Sequence, residues 1–127
     1  RYLDLYGTYV TDESGPVLGG LTGLEWLSLT RTRIGTRGIE ALGPMPNLRR
    51  LSLRGTAITD NALVTLAEMP HLEWLSVADT AVSSYGLEHL LARSTSIRWV
   101  AIDGTPAATS PRTATLPRRP GVEFIEH

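Results

Sequence analysis

The sequence predicts an α/β fold assembled from one repeated strand-then-helix unit, and three observations predict it. First, nine-residue segments align on a period of 24: Leu24-Glu-Trp-Leu-Ser-Leu-Thr-Arg-Thr32, Leu48-Arg-Arg-Leu-Ser-Leu-Arg-Gly-Thr56 and Leu72-Glu-Trp-Leu-Ser-Val-Ala-Asp-Thr80. A fourth copy, Ile97-Arg-Trp-Val-Ala-Ile-Asp-Gly-Thr105, follows one inserted residue, and Arg1-Tyr-Leu-Asp-Leu-Tyr-Gly-Thr8 opens the chain as a copy without its first position. Second, apolar residues alternate at positions four and six (Leu27/Leu29, Leu51/Leu53, Leu75/Val77, Val100/Ile102). That is the period of a short strand with one buried face. Third, apolar residues three apart follow the second, third and fourth strands, as on the inward face of a helix.

Each unit reads in the same order. After the threonine, Val10, Ile34, Ile58 and Val82 are the inward anchors of the turn. Thr11, Thr59 and Ser83 then stand where a helix N-cap belongs, with Gly35 in the remaining copy. Asp12 and Asp60 follow in the first turn, where the helix dipole favours a carboxylate. Ile39/Leu42, Leu63/Leu66 and Leu87/Leu90 face inward, and Pro44, Pro46 and Pro70 stop the helices before the next strand. The first helix pattern is interrupted by Ser14-Gly-Pro16, and the fourth unit carries its insertion near Arg93-Ser-Thr-Ser96.

These columns resemble the leucine-rich repeat, and more narrowly its bacterial 24-residue type, with threonine at the ninth position. Thr56-Ala-Ile-Thr-Asp-Asn-Ala-Leu63 is the clearest instance of that type's T-x-I-T-D-x-A-L core. A similar pattern with cysteine at the ninth position is found in substrate-recruiting subunits of eukaryotic ubiquitin ligases and in some bacterial effectors. The resemblance covers about residues 1–105. It implies a right-handed curved solenoid with a parallel sheet on the concave face and short helices on the convex face. The expected organisation is one domain over residues 1–127: repeats at 1–23, 24–47, 48–71, 72–96 and 97–105, then a cap at 106–127.

Such units bury their apolar edges only against neighbours, so the ends need covers. At the C-terminal end, Ser110-Pro111 is a helix start with proline at the first helical position, and Val122-Glu-Phe-Ile125 is a candidate last strand. No comparable cover precedes Arg1. An open strand edge invites pairing. The expectation is that this chain is the C-terminal part of a longer protein, with an N-terminal domain or a second copy across that edge.

Bulk properties exclude several functions. The 127 residues are enough for one domain with a real core. A formal net charge of −1 gives no whole-domain attraction to nucleic acid or anionic membrane. No apolar run approaches the roughly 20 residues of a membrane span, so membrane insertion is not expected. Cysteine is absent, which removes disulfides, thiolate metal ligands and thiol nucleophiles, and fits a cytoplasmic location.

The outward columns carry the candidate site. Equivalent residues on adjacent strands of a parallel sheet lie about 4.8 Å apart, so each column is a ladder. The third position reads Tyr2, Trp26, Arg50, Trp74, Trp99, and all three tryptophans of the chain stand in it. Arg50 falls between two indoles, where a guanidinium stacks for ~0.5–2 kcal/mol. Trp, Tyr and Arg dominate interface energetics, so one reading is a hot spot for a partner; the other is a self-stacking ladder that stiffens the sheet. The second position alternates in sign (Arg1, Glu25, Arg49, Glu73, Arg98), which reads as a register device. The fifth position is small (Asp4, Ser28, Ser52, Ser76, Ala101) and is expected to leave room beside the aromatic row. At positions seven and eight, Arg31 and Arg54 lie toward the middle and Asp79 and Asp103 toward the C-terminal end, a bipolar patch that orients a partner or an ordinary solvated surface. Thr8, Thr32, Thr56, Thr80 and Thr105 are expected to bond main-chain groups of the turn.

No chemistry emerges from the remaining residues. His71, His89 and His127 share no repeat position, so no metal cluster is expected. No carboxylate pair has the register of an acid/base dyad, there is no phosphate-binding glycine loop, and no cofactor is implied. The basic segment 111–120 reads as a polar capping loop or a contact for an acidic partner. The expected function is a non-catalytic protein-interaction module, the recognition part of a larger bacterial effector, defence or scaffold protein. Trp26 and Trp74, two strands apart, also permit stacking of sugar rings. Single-stranded nucleic acid is the third class, with the neutral charge balance, Asp79 and Asp103 against it.

Overall fold

The structure is a computed structural model that describes residues 1–118 and 120–126; His127 and Arg119 of the capping segment lie outside the described residues. Six three-residue strands alternate with short helices: β1 (Tyr2–Asp4), α1 (Gly15–Gly19), β2 (Trp26–Ser28), α2 (Thr36–Leu42), β3 (Arg50–Ser52), α3 (Ala62–Ala67), β4 (Trp74–Ser76), α4 (Ser84–Arg93), β5 (Trp99–Ala101), α5 (Pro106–Thr109) and β6 (Glu123–Ile125). They form one parallel sheet in the order β1-β2-β3-β4-β5-β6. Each strand pairs with its sequence neighbour at a shift of 24 residues, or 25 where the insertion falls between β4 and β5. The α/β class and the parallel sheet agree with the sequence reading, and the arrangement is compatible with a repeat solenoid. No helix of the described residues is long and apolar enough to cross a membrane.

One core lies between the sheet and the helices. Leu27, Leu29, Leu51, Leu53, Leu75, Val77 and Val100 from the strands, Ile34, Ile58 and Val82 from the turns, and Ile39, Leu63, Leu66, Leu87 and Leu90 from the helices are all fully buried. The ends differ. In the first unit the equivalent Leu3, Leu5 and Val10 are only half-buried, and Tyr2, Tyr6 and Tyr9 are exposed. At the other end Leu116 and Val122 close the core, with β6 in register on β5. Ser110 caps a 3-10 turn at Pro111–Thr115, accepting from the Arg112 amide, as the sequence predicts.

The ninth-position threonines share one hydrogen bond. Thr8, Thr32, Thr56, Thr80 and Thr105 each donate Oγ1–H to the carbonyl three residues earlier, at 2.8, 2.8, 2.7, 2.6 and 2.5 Å. The turn just before each threonine requires left-handed backbone: Gly7, Arg31, Gly55, Asp79 and Gly104 all have φ between 53° and 74°. Glycine takes that conformation freely; Arg31 and Asp79 do so at a cost.

Two expectations are corrected. Thr59 is not the N-cap of α3, which begins three residues later with Asn61 as its cap residue; the Thr59 hydroxyl pairs with that of Thr36 instead, at 3.0 Å. Asp12 does stand in the first turn of its own 3-10 helix, but Asp60 lies before the cap residue of α3, and both carboxylates also reach the next unit. Asp12 accepts from the Gly35 and Gly38 amides of the next unit at 2.6 and 3.0 Å. Asp60 accepts from the Ser83 amide and hydroxyl at 2.7 and 2.6 Å. Thr36, in the same column, accepts from the Thr59 amide at 3.0 Å. Asp12 and Asp60 thus cap the helices of the units that follow them, and Thr36 ties the turn before α3, because parallel stacking brings one unit's turn beside the next. The Ser14-Gly-Pro16 interruption is a 3-10 turn (Asp12–Ser14) leading into α1 with Pro16 in its first turn. At the insertion, Ser94 Oγ accepts from the Ile97 and Ser96 amides, so the extra residue leaves the strand register intact.

Candidate binding surface

Pairing places Tyr2, Trp26, Arg50, Trp74 and Trp99 directly side by side, and β6 adds Glu123 as a sixth rung. The row stands on the sheet face opposite the core, since positions three and four of a strand point to opposite sides. Tyr2 and Trp26 meet at 4.3 Å between ring centroids, tilted by 43°. The Arg50 guanidinium carbon lies 4.8 Å from the Trp26 ring centroid and 5.0 Å from that of Trp74. Arg50 therefore sits between the two indoles. Arg98, one position earlier on β5, lies 5.3 Å over Trp99. Tyr2 and Trp26 keep 54% and 37% of their surface exposed and Arg50 is exposed, whereas Trp74 and Trp99 are half-buried, so the row is most open from β1 to β3.

Two hollows flank it. The larger, about 580 Å³, opens among Tyr2, Trp26, Arg50, Trp74, Arg31 and Arg54. Its floor is a hydroxyl chain in which Ser28 donates to Thr30 at 3.1 Å and Thr30 meets Ser52 at 2.6 Å. The smaller, about 510 Å³, is lined by Arg50, Glu73, Trp74, Trp99 and Ile125. Arg50 and Trp74 belong to both and form the ridge between them.

The fifth column does not leave open space along its whole length. Ser28 is half-buried, but Ser52 keeps only 4% of its surface, and Ser76 and Ala101 none. Short side chains lie at the floor between longer neighbours in the third and seventh columns. Ser52 lines the larger hollow, whereas Ser76 is closed to a partner.

The two charge groups of positions seven and eight are not separate. Arg54 Nε lies 3.0 Å from Asp79 Oδ2, and Arg31 Nη2 lies 3.6 Å from the same oxygen. Arg31 reaches across β3 because Gly55 has no side chain there: a Cβ at Gly55 would stand 3.3 Å from the Arg31 Cγ. The eighth column thus reads Arg31, Gly55, Asp79, Gly104, with a glycine under each charged side chain. These groups are partly exposed, so each pair contributes little stability, about 0–1 kcal/mol. The result is one mixed-charge cluster rather than two separate poles. Asp103, half-buried one strand further on, accepts from the Asp79 amide through its main-chain oxygen at 2.8 Å and lines neither hollow. In the second column Arg49 and Glu73 pair at 3.0 Å, consistent with a register device at that step.

Asp4 and Glu73, named in the outward columns, line the hollows; Tyr6, Thr30 and Ile125, which sequence reasoning left out of the site, line them too. Ile125 was findable: adding 24 to Ala101 places it in the fifth column. The Asp4 carboxylate is engaged by the Tyr6 amide at 3.0 Å and the Tyr2 hydroxyl at 3.4 Å. His71 Nδ1 lies 2.9 Å from the Pro46 carbonyl and ties adjacent units together. Among the described residues no group of three or more His, Asp or Glu is placed to hold a metal ion. Comparison with protein-family models and with curated proteins gives no match.

Proposed function

We propose that this chain is a leucine-rich-repeat solenoid that acts as a non-catalytic protein–protein interaction module, with the open sheet face as its concave recognition surface. It serves as the recognition part of a larger bacterial effector, defence or scaffold protein. One observation carries the reading. Five adjacent parallel strands present Tyr2, Trp26, Arg50, Trp74 and Trp99 in one unbroken row, with hollows on both sides. Residues of these types, held on a rigid element, are what protein hot spots are made of. The fold-level link between such repeats and protein partners is analogy and adds only that weight.

The half-buried Leu3, Leu5 and Val10 and the exposed Tyr6 and Tyr9 support a second contact, with an N-terminal domain or another copy, across β1. Glycan binding is supported less well: the space between Trp26 and Trp74 that a sugar ring would use holds the Arg50 guanidinium.

The test is affinity capture from native lysate, wild type beside Trp74→Ala and Arg50→Glu, with circular dichroism to establish that both variants fold. The expected outcome is a protein retained by wild type and lost from both variants, and then bound directly in purified form. Folded variants that keep every partner of the wild type would show the open face to be the wrong surface.

A further inference from the structure

The chemistry of the partner follows from how the arginines of the open face are already used; this inference rests on the reading of that face as a protein-binding surface. Three arginines and one aspartate line the larger hollow. Arg31 and Arg54 lie against Asp79, and the Asp4 carboxylate is bonded within its own strand and turn. Arg50 differs. It is exposed, it borders both hollows, and no carboxylate lies within ion-pair distance of it among the described residues. Its guanidinium is held instead between Trp26 and Trp74. A guanidinium with aromatic rings on both sides keeps its in-plane N–H fork for an acceptor, and a carboxylate matches that fork bidentately. The indoles also fix the long side chain in advance, which lowers the ordering cost of binding.

On the far side of Trp74 the character changes. The smaller hollow is walled by Trp74, Trp99 and Ile125, an apolar slot with Glu73 at its margin, and Glu73 is paired with Arg49. Strand spacing sets the distance between the two features. The gap between the Trp74 and Trp99 columns lies one and a half strand spacings from Arg50, about 7 Å. In an extended peptide, side chains two residues apart point the same way and are separated by about 6.6–6.8 Å. The two distances match.

We propose that the open face takes an extended peptide segment laid across the strands, with an acidic residue and an apolar residue two positions apart. Its carboxylate forks onto Arg50, and its apolar side chain enters the slot between Trp74 and Trp99 against Ile125. The residue between them points away from the sheet.

The experiment is selection of random dodecapeptides by display on the immobilised full chain, followed by tryptophan-fluorescence titration of synthesised winners. Winners are expected to carry Asp or Glu two residues from Leu, Ile, Met or Phe. Replacing that acid by its amide, inserting one residue into the spacing, or using Arg50→Gln is expected to weaken binding at least tenfold. Arg50→Lys, which keeps the charge and loses the fork, is expected to weaken it by a similar factor. Winners without an acid, or with affinity unchanged by Arg50→Gln or by the altered spacing, would overturn the inference; if those winners are still lost on Trp74→Ala, the open face remains a protein-binding surface of other specificity. If no peptide is enriched, or winners bind Trp74→Ala as they bind wild type, the protein-binding reading fails with it. Displacement of winners by an oligosaccharide or an oligodeoxythymidylate that itself quenches the tryptophans at lower concentration overturns it in favour of that occupant.

Discussion

The contact between Asp60 and the next helix makes a sign prediction that few alternative accounts share. Asp60 is half-buried, and its carboxylate accepts from the Ser83 amide at 2.7 Å and the Ser83 hydroxyl at 2.6 Å at the start of α4. Hydrogen bonds to charged groups contribute about 1.5–3 kcal/mol each, but water reaches this half-buried site and recovers part of the loss. Asp60→Ala is therefore expected to cost about 2 kcal/mol in total. Gly86 is the third residue of α4, where an added Cβ would run into the same carboxylate. Alanine in a helix interior is otherwise better than glycine by about 1 kcal/mol. In the wild type, Gly86→Ala should thus destabilise, because the carboxylate has to leave its bonds. In the Asp60→Ala background the obstacle is gone, and the nearest remaining atom is the Leu63 Cδ1 at 3.0 Å, the end of a flexible side chain. There the same substitution should be neutral or stabilising by up to about 1 kcal/mol. The assay is urea unfolding of the four proteins, followed by tryptophan fluorescence and far-ultraviolet circular dichroism together. The expected coupling is about 2 kcal/mol, within the range seen for contacting residues. If Gly86→Ala costs the same in both backgrounds, within about 0.5 kcal/mol, the inter-unit cap does not exist as described.

Two further stability predictions use the same assay. Arg31→Gly should stabilise the protein by about 0.5–1 kcal/mol, because relief of the φ of 57° outweighs an exposed ion pair at 3.6 Å that contributes little; a measurable loss of stability would mean that the Arg31–Asp79 pair is stronger than its exposure allows. Thr56→Val should cost about 1 kcal/mol, the net value of one hydrogen bond, since the hydroxyl donates to the Leu53 carbonyl at 2.7 Å in a buried turn, whereas Thr56→Ser, which keeps the hydroxyl, should lose less; a Val variant as stable as the wild type beside a destabilised Ser variant would assign the role to the methyl group instead.

The strands, the core and the order of the aromatic row were legible because they depend on two fixed numbers. A two-residue period decides which side of a strand each residue faces, and a constant shift of 24 decides its neighbour. Leu51 under the sheet and Arg50 between Trp26 and Trp74 both follow from that arithmetic. What was missed depends on distances that the arithmetic does not contain. Asp60 reaches Ser83 only because α3 and α4 pack side by side, and Gly86 gives the carboxylate room. Arg31 reaches Asp79 by crossing a whole strand, a contact that column-by-column reading treats as too far until the glycine at position 55 is seen beneath it. Ser76 faces the correct side and is still fully buried, along with Ala78 and Ala101 around it. Periodicity gives the direction of a side chain and not its height above the sheet.

Magnitudes also bear on why the row has these residue types. A cation–π contact at an exposed site contributes about 0.5–1 kcal/mol, whereas removing one leucine from the core beneath costs about 2–5 kcal/mol. The fold does not need the row: from β2 to β5 the core is filled by the inward columns. A ladder serving stiffness alone would gain most by covering its own rings. Instead Tyr2 and Trp26 remain exposed, and the central rung is a cation with no carboxylate within ion-pair distance among the described residues. Self-stacking leaves unused both the apolar burial those rings could still gain and the guanidinium's hydrogen-bonding capacity. A partner that brings an acid and an apolar side chain would use both, which favours the proposed binding reading over stiffening alone.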